Sequence, residues 1–267
     1  MLARRPLPPE FARWNRKWGA PFGSRSGRLL KSRIPSIATT NPRLVGLFGI
    51  QANNDTRYYE FPWAYHAVPL SPGMTALEIG GGLSGFQFVL AKQGLRVVNV
   101  DPGLDASGVG WRCDPASMAR LNRAFHTDVV LHNTTLQNAD LADDSIDVAF
   151  SISAIEHIPE QELPSLMREV NRVLKPGGKA VLTVDLFLDL APFTPRLVND
   201  YGCNIDVRRL VEWSGLRLEV GREDELFGFT TFDAREVQAQ LSELYYGRRY
   251  PACAQLLVLA KDTDRVG

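Results

Sequence analysis

The feature that most constrains this chain is the run Leu77-Glu78-Ile79-Gly80-Gly81-Gly82-Leu83-Ser84-Gly85-Phe86, where a short apolar stretch passes through a glycine-rich turn into residues of helical spacing. Such a strand-to-helix turn needs glycine, because a residue without Cβ takes positive φ and lets a ligand approach the amides at the helix N-terminus. Those amides and the helix dipole favour a carboxylate or a phosphate. A second valine-rich run, residues 96–100, ends at Asp101-Pro102, where a carboxylate can accept hydrogen bonds from ribose hydroxyls. Gly80, Gly82 and Gly85 also satisfy the G-x-G-x-x-G dinucleotide pattern. Taken alone, the turn fits a nicotinamide cofactor and S-adenosylmethionine equally.

Glu78 discriminates between them. An acid at the end of a buried first strand sits close to the cofactor and suits an ammonium or sulfonium better than a pyrophosphate. The plainer alternative is a carboxylate that caps the turn.

From about Pro72 onward, short β-branched runs alternate with helical periods, the pattern of a parallel α/β sheet. Strands are expected to include 77–79, 96–100, 128–132, 146–151, 179–184, 216–220 and 254–260, and helices 86–93, 163–174 and 206–213. The segment 226–250 between the last two strands lets them pair antiparallel at one edge instead of through a crossover. The expected fold is α/β: a doubly wound, mostly parallel seven-stranded sheet with an antiparallel edge strand and an irregular basic N-terminal arm.

That arm is residues 1–50, preceding a main domain over 51–267. Pro6, Pro8, Pro9, Pro21 and Pro35 interrupt any long helix, leaving short helical pieces. Nine basic residues up to Arg33 face Glu10 alone, although the whole chain has zero formal charge. Such an arm suits a phosphorylated substrate, nucleic acid or an anionic membrane, or is simply a solvated tail. With 45% hydrophobic and 22% charged residues the chain lies well away from the disordered class. No apolar run nears the roughly 18 residues that span a bilayer, and no secretory signal is present, so a cytoplasmic location is expected. Cys113, Cys203 and Cys253 are odd in number and far apart, which predicts free thiols and no zinc knuckle.

The run Ala76 to Gly82 resembles motif I of class I S-adenosylmethionine-dependent methyltransferases, with Val98-Asn99-Val100-Asp101 as the acidic strand end. Three further stretches follow in the order of that superfamily: Ser145-Ile146-Asp147-Val148-Ala149-Phe150-Ser151, Ile155-Glu156-His157-Ile158-Pro159, and Arg172-Val173-Leu174-Lys175-Pro176-Gly177-Gly178. The resemblance implies S-adenosylmethionine as cofactor. Glu78 would then reach the methionine amine, Gly80, Gly81, Gly82 and Gly85 would shape the turn, and Asp101 with Pro102 would hold the ribose. Thr135 and Leu136 match the adenine region, although the usual acid-plus-small pair is missing there. Ser151 and Ile152 would offer backbone contacts beneath the sulfonium.

For such a cofactor few protein groups are obligatory, and a base is needed mainly for a hydroxyl acceptor. His157, after the fourth strand, and Asp185, at the end of the fifth, are the candidates. Each has a plain structural alternative: a recurrent Glu-His pair of the superfamily and a loop cap. Glu156-His157 also resembles relatives that hold magnesium, but a further acid is lacking and no metal is expected. An aromatic helix around Tyr58, Tyr59, Phe61, Trp63 and Tyr65 would lie over the cofactor, with Arg57 or Tyr59 on the methionine carboxylate. Tyr245, Tyr246, Arg248, Arg249 and Tyr250 form a second cluster suited to an anionic substrate. No Asn-Pro-Pro-Tyr run follows the fourth strand, so nucleic-acid bases are disfavoured, with RNA left open. The expected acceptor is a small molecule, an oxygen of a hydroxylated metabolite or sugar. The rival readings are a non-catalytic partner module and a nicotinamide-dependent oxidoreductase.

Overall fold

Strand residues alternate between two apolar faces. Ala76, Val148, Phe150 and Val181 pack into one core, and Leu77, Ile79, Ala149 and Leu182 into another on the opposite side. Parallel strands demand this, because crossover connections cover both faces of their sheet. The computed structural model describes residues 1–103, 107–108, 111–247 and 250–263. Its main sheet consists of β1 (Thr75–Ile79), β2 (Arg96–Val100), β3 (Val130–His132), β4 (Ile146–Ile152), β5 (Leu174–Phe187), β6 (Arg217–Val220) and β7 (Ala252–Ala260). The strand order is β6-β7-β5-β4-β1-β2-β3. The pairs β1 with β2, β1 with β4, β2 with β3 and β4 with β5 are parallel. β7 runs antiparallel to both β5 and β6, wedged between them at one side of the sheet.

The α-helices are α1 (Pro9–Trp18), α2 (Arg25–Arg33), α3 (Ile37–Thr40), α4 (Pro42–Val45), α5 (Arg57–His66), α6 (Gly85–Lys92), α7 (Pro115–Phe125), α8 (Leu163–Val173), α9 (Val207–Ser214) and α10 (Ala234–Ala239). α1, α5, α6 and α7 cover the first face, and α8 and α9 the second. Among the described residues no helix is long and apolar enough to cross a membrane. The three cysteines are free.

The basic first fifty residues are short helices, as the prolines require, but the expectation of a solvated tail fails. Phe11 and Trp14, three apart on one stripe of α1, are buried in the core together with Phe48 and Ile50. The Met1 amino group donates to the Leu256 carbonyl (2.8 Å), and the Ala3 N–H to Ala254 (3.0 Å). The Trp111 indole donates to the Ala38 carbonyl at 3.1 Å and ties α3 to the region before α7.

Candidate functional site

The sheet order reverses between β1 and β4, and in open α/β sheets ligands bind beyond the strand ends at that point. A cavity of about 610 Å³ opens there. Glycine is obligatory in its floor for two separate reasons. Gly80 and Gly82 have φ of +68° and +53°, and a Cβ on Gly80 would fall 2.6 Å from that of Ala154. A Cβ on Gly81 would lie 2.8 Å from the Glu78 side chain.

Two buried carboxylates flank this turn. The Asp101 carboxylate accepts the N–H of Gly82 and that of Gly103, each at 2.7 Å, one per oxygen, which leaves lone pairs free for hydroxyl donors. Glu78 is 2% exposed and its Oε2 has no hydrogen-bond partner among the described residues. Burial, then the charge of Asp101, push the Glu78 carboxyl well above the usual carboxylate range. A cationic group placed there would satisfy the orphaned oxygen and restore the ionised form, whereas a pyrophosphate would add negative charge beside two acids. The donor set therefore fits an amine-bearing nucleoside with free ribose hydroxyls. Thr135, Leu136, Pro102 and Ile152 complete the wall on the same side.

A polar strap, Gln51 to Asn54, also lines the cavity, a role that sequence reasoning missed. Gln51 Oε1 accepts the Leu83 N–H at 2.8 Å and so pins the strap to the glycine turn. The available signal was a run of amide side chains directly before the aromatic helix.

Across the cavity lies a group of buried charges. Arg57 pairs with Glu60, one turn along α5, and reaches Asp185 at 3.6 Å. The other Glu60 oxygen accepts from the hydroxyls of Ser153 and Thr183, both at 2.6 Å. Burial pushes the Glu60 carboxyl up, but Arg57 and these hydroxyls outweigh it and hold the group below its ordinary value. Tyr250 donates its hydroxyl to Asp185 (2.9 Å) and stacks on Tyr201 with ring centroids 4.2 Å apart. Glu156 Oε1 accepts the Asp185 N–H at 3.2 Å, and its Oε2 is a second orphan among the described residues. Burial and then the Asp185 charge push the Glu156 carboxyl well above its usual range.

Burial, opposed by Arg57, pushes the Asp185 carboxyl up to about 6. A carboxyl with a raised value holds its proton more tightly folded than unfolded, so its contribution to stability falls as pH rises from about 4, the unfolded value, through about 6. Glu156 acts with the same sign. Asp185→Asn is therefore expected to flatten the loss of stability between pH 4 and 6 in denaturant titrations. An unchanged slope would contradict the placement.

The sequence-derived residues separate into those on the cavity and those behind it. Glu78, Gly80, Gly81, Gly82, Asp101, Pro102, Thr135, Leu136, Ile152 and His157 line it. Gly85 does not: it faces the Phe48 ring, 2.6 Å from where its Cβ would be, and its need for glycine is one of helix packing. Ser151 lies beneath, its hydroxyl on the Ile79 carbonyl at 3.3 Å. Asp185, expected to face the acceptor, is fully buried and meets the cavity only indirectly, behind Arg57, Ser153 and Tyr250, which line it. A carboxylate locked between Arg57 and Tyr250 is poorly placed as a base. His157, by contrast, is exposed at the wall, on the 3₁₀ turn Ile155–His157. Arg57 lines the cavity as expected, but Tyr59 packs instead against Phe11 and Tyr245. Of the second aromatic cluster, Tyr250 reaches the cavity, while Arg248 and Arg249 lie outside the described residues. Among the described residues no three metal-ligating side chains converge.

Residues 77–182 match the family model described as a methyltransferase domain. An uncharacterized methyltransferase of Mycobacterium sp. (strain JLS) is 34% identical over 143 residues, covering 53% of this chain and 50% of that protein. The chain thus spans about half the length of such relatives. Among solved structures, an S-adenosylmethionine-dependent methyltransferase from Mesorhizobium loti aligns with a TM-score of 0.50 at 20% identity, over 76% of this chain and 97% of that one. The [4+2]-cyclase SpnF aligns with a TM-score of 0.57 at 14% identity, over 91% and 98%. These likenesses are of fold, and the second shows that the fold also serves a cyclase.

Proposed function

We propose that this chain, which carries a class I S-adenosylmethionine-dependent methyltransferase domain, transfers a methyl group to a small-molecule acceptor in the cytoplasm, at an oxygen of a hydroxylated metabolite or sugar. The observation that carries this reading is a single cavity whose walls run from Glu78 and Asp101 to His157, Tyr201 and Tyr250. Glu78 and Asp101 meet the requirements of the cofactor, and the same cavity offers further polar groups, His157, Tyr201 and Tyr250, to a second molecule. S-adenosylmethionine, when bound, supplies an electrophilic methyl group, so the work left to the protein is alignment and proton removal.

Each residue has a role consistent with its placement. Glu78 would hold the ammonium, Asp101 the ribose hydroxyls, and the backbone of Gly80 to Gly82 the methionine moiety. His157, exposed at the wall, would take the proton of a hydroxyl acceptor. Asp185 would act indirectly, fixing Tyr250 as part of the acceptor wall. The charge of Arg57 is already matched by Glu60 and Asp185, so the wall has no strong preference for an anionic acceptor.

Calorimetric titration with S-adenosylmethionine, S-adenosylhomocysteine and NAD tests the cofactor end. Binding of the first two without the third is expected, and Asp101→Ala should weaken it by roughly 1.5–3 kcal/mol, about ten- to 150-fold. Binding of NAD alone, or unchanged affinity in the variant, would overturn the assignment. An acceptor screen on the loaded protein then separates turnover from mere binding by a partner module.

A further inference from the structure

Ten basic residues against the single acid Glu10 give residues 1–50 a formal charge of +9, in a chain whose total is zero. The cofactor and acceptor roles use none of them. On α2, Arg25, Leu29 and Arg33 succeed one another at intervals of four and so share one face. The buried face belongs to Gly27, which approaches α4 so closely that a Cβ would lie 2.7 Å from the Leu44 carbonyl. Arg25, Leu29 and Arg33 all point outward and are exposed. Ile34 (47% exposed) ends the helix and Leu44 (48%) lies on the neighbouring α4, so with Leu29 (58%) three large aliphatic side chains stand in solvent among arginines. Neither Arg25 nor Arg33 forms an ion pair among the described residues.

We propose that the exposed Arg25-Leu29-Arg33 stripe of α2 is a docking surface for an anionic lipid bilayer. Unpaired arginines on either side of the exposed Leu29 match an interface of lipid phosphates above acyl chains, where each kind of side chain finds its own partner. An RNA backbone would take up the arginines but leave the aliphatic groups in water, because single strands are gripped by aromatic stacking. Residues 11–50 contain no acid, so none within this segment opposes the arginines. The proposal is independent of the methyl-transfer reading.

Sedimentation of the full chain with vesicles of phosphatidylcholine alone, and of phosphatidylcholine mixed with phosphatidylglycerol, tests it. The chain should pellet with the mixed vesicles, and the binding should weaken as salt rises. Arg25→Gln with Arg33→Gln should reduce binding about 25-fold, roughly fivefold per arginine, and Leu29→Ser should reduce it further. All three side chains are exposed, so the thermal transition serves as a control for folding. Equal binding to both vesicle types, equal binding by the variants, or capture of a single-stranded RNA without vesicle binding would each overturn the proposal.

Discussion

Replacing Glu60 with alanine is expected to destabilise the folded chain by about 3–5 kcal/mol, read from denaturant titration without cofactor. Glu60 is fully buried and holds three groups at once: the Arg57 guanidinium and the hydroxyls of Ser153 and Thr183. Removing it leaves a buried cation beside the cavity whose one remaining ion pair among the described residues is with Asp185, at the longer distance, and it takes from the Ser153 and Thr183 hydroxyls their shortest hydrogen bonds. The large term is this uncompensated charge, not the lost attraction, because a buried pair gains little net energy against its own desolvation. The pair of changes Arg57→Met and Glu60→Leu should therefore recover part of what Glu60→Leu alone loses, a coupling that a double-mutant cycle measures. A loss below about 1 kcal/mol for Glu60→Ala would mean that Arg57 finds another partner or water, contrary to the geometry described.

The second large effect concerns turnover. With a hydroxyl acceptor in hand, His157→Asn should lower kcat by roughly 10²–10⁴-fold, the usual contribution of a positioned base. Cofactor affinity should not change if His157 serves only the acceptor, because the cofactor's ammonium and ribose contacts are assigned to Glu78 and Asp101. Residues 155–157 form a single 3₁₀ turn that sends neighbouring side chains opposite ways: Glu156 is buried against the Asp185 amide, and His157 is exposed at the wall. A merely structural histidine would shift stability and leave the pH profile of kcat in place. Loss of its basic limb in the variant marks the proton acceptor. A reduction under tenfold on a proven hydroxyl acceptor would remove His157 from the mechanism. An amine acceptor, which brings its own lone pair, would also be insensitive to this change.

The parts of the molecule legible in the sequence are those where local pattern and tertiary role coincide. The β1 to α6 turn needs its glycines whatever surrounds it, and the apolar runs that became β1, β2, β4 and β7 are buried on both faces, so periodicity and burial agree. The first fifty residues were illegible for the opposite reason. Phe11 and Trp14 are isolated among charges and prolines, and the surface that buries them exists only once α5 and α6 have packed on the sheet. Glu60 was hidden similarly, as one acid within an aromatic helix whose partners, Ser153 and Thr183, lie 93 and 123 positions away. Asp185 was placed correctly at a strand end, but only the packing of Arg57, Ser153 and Tyr250 reveals that it is covered.

The position of β7 bears on how the sheet comes together. It fills an internal slot between β5 and β6, and at its middle the Met1 amino group bonds the Leu256 carbonyl across 255 positions. The Met1 contact forms late, since the loop entropy must be lost before the contact can reward it, and β7 itself must close 65 to 81 positions to reach its partners on β5. Until β7 arrives, β5 is a bare edge of apolar residues, a template for pairing with another chain. A truncation within β7 would thus be expected to yield association products, not a smaller working domain, because the strand it removes is also the one that keeps the growing sheet from recruiting a neighbour.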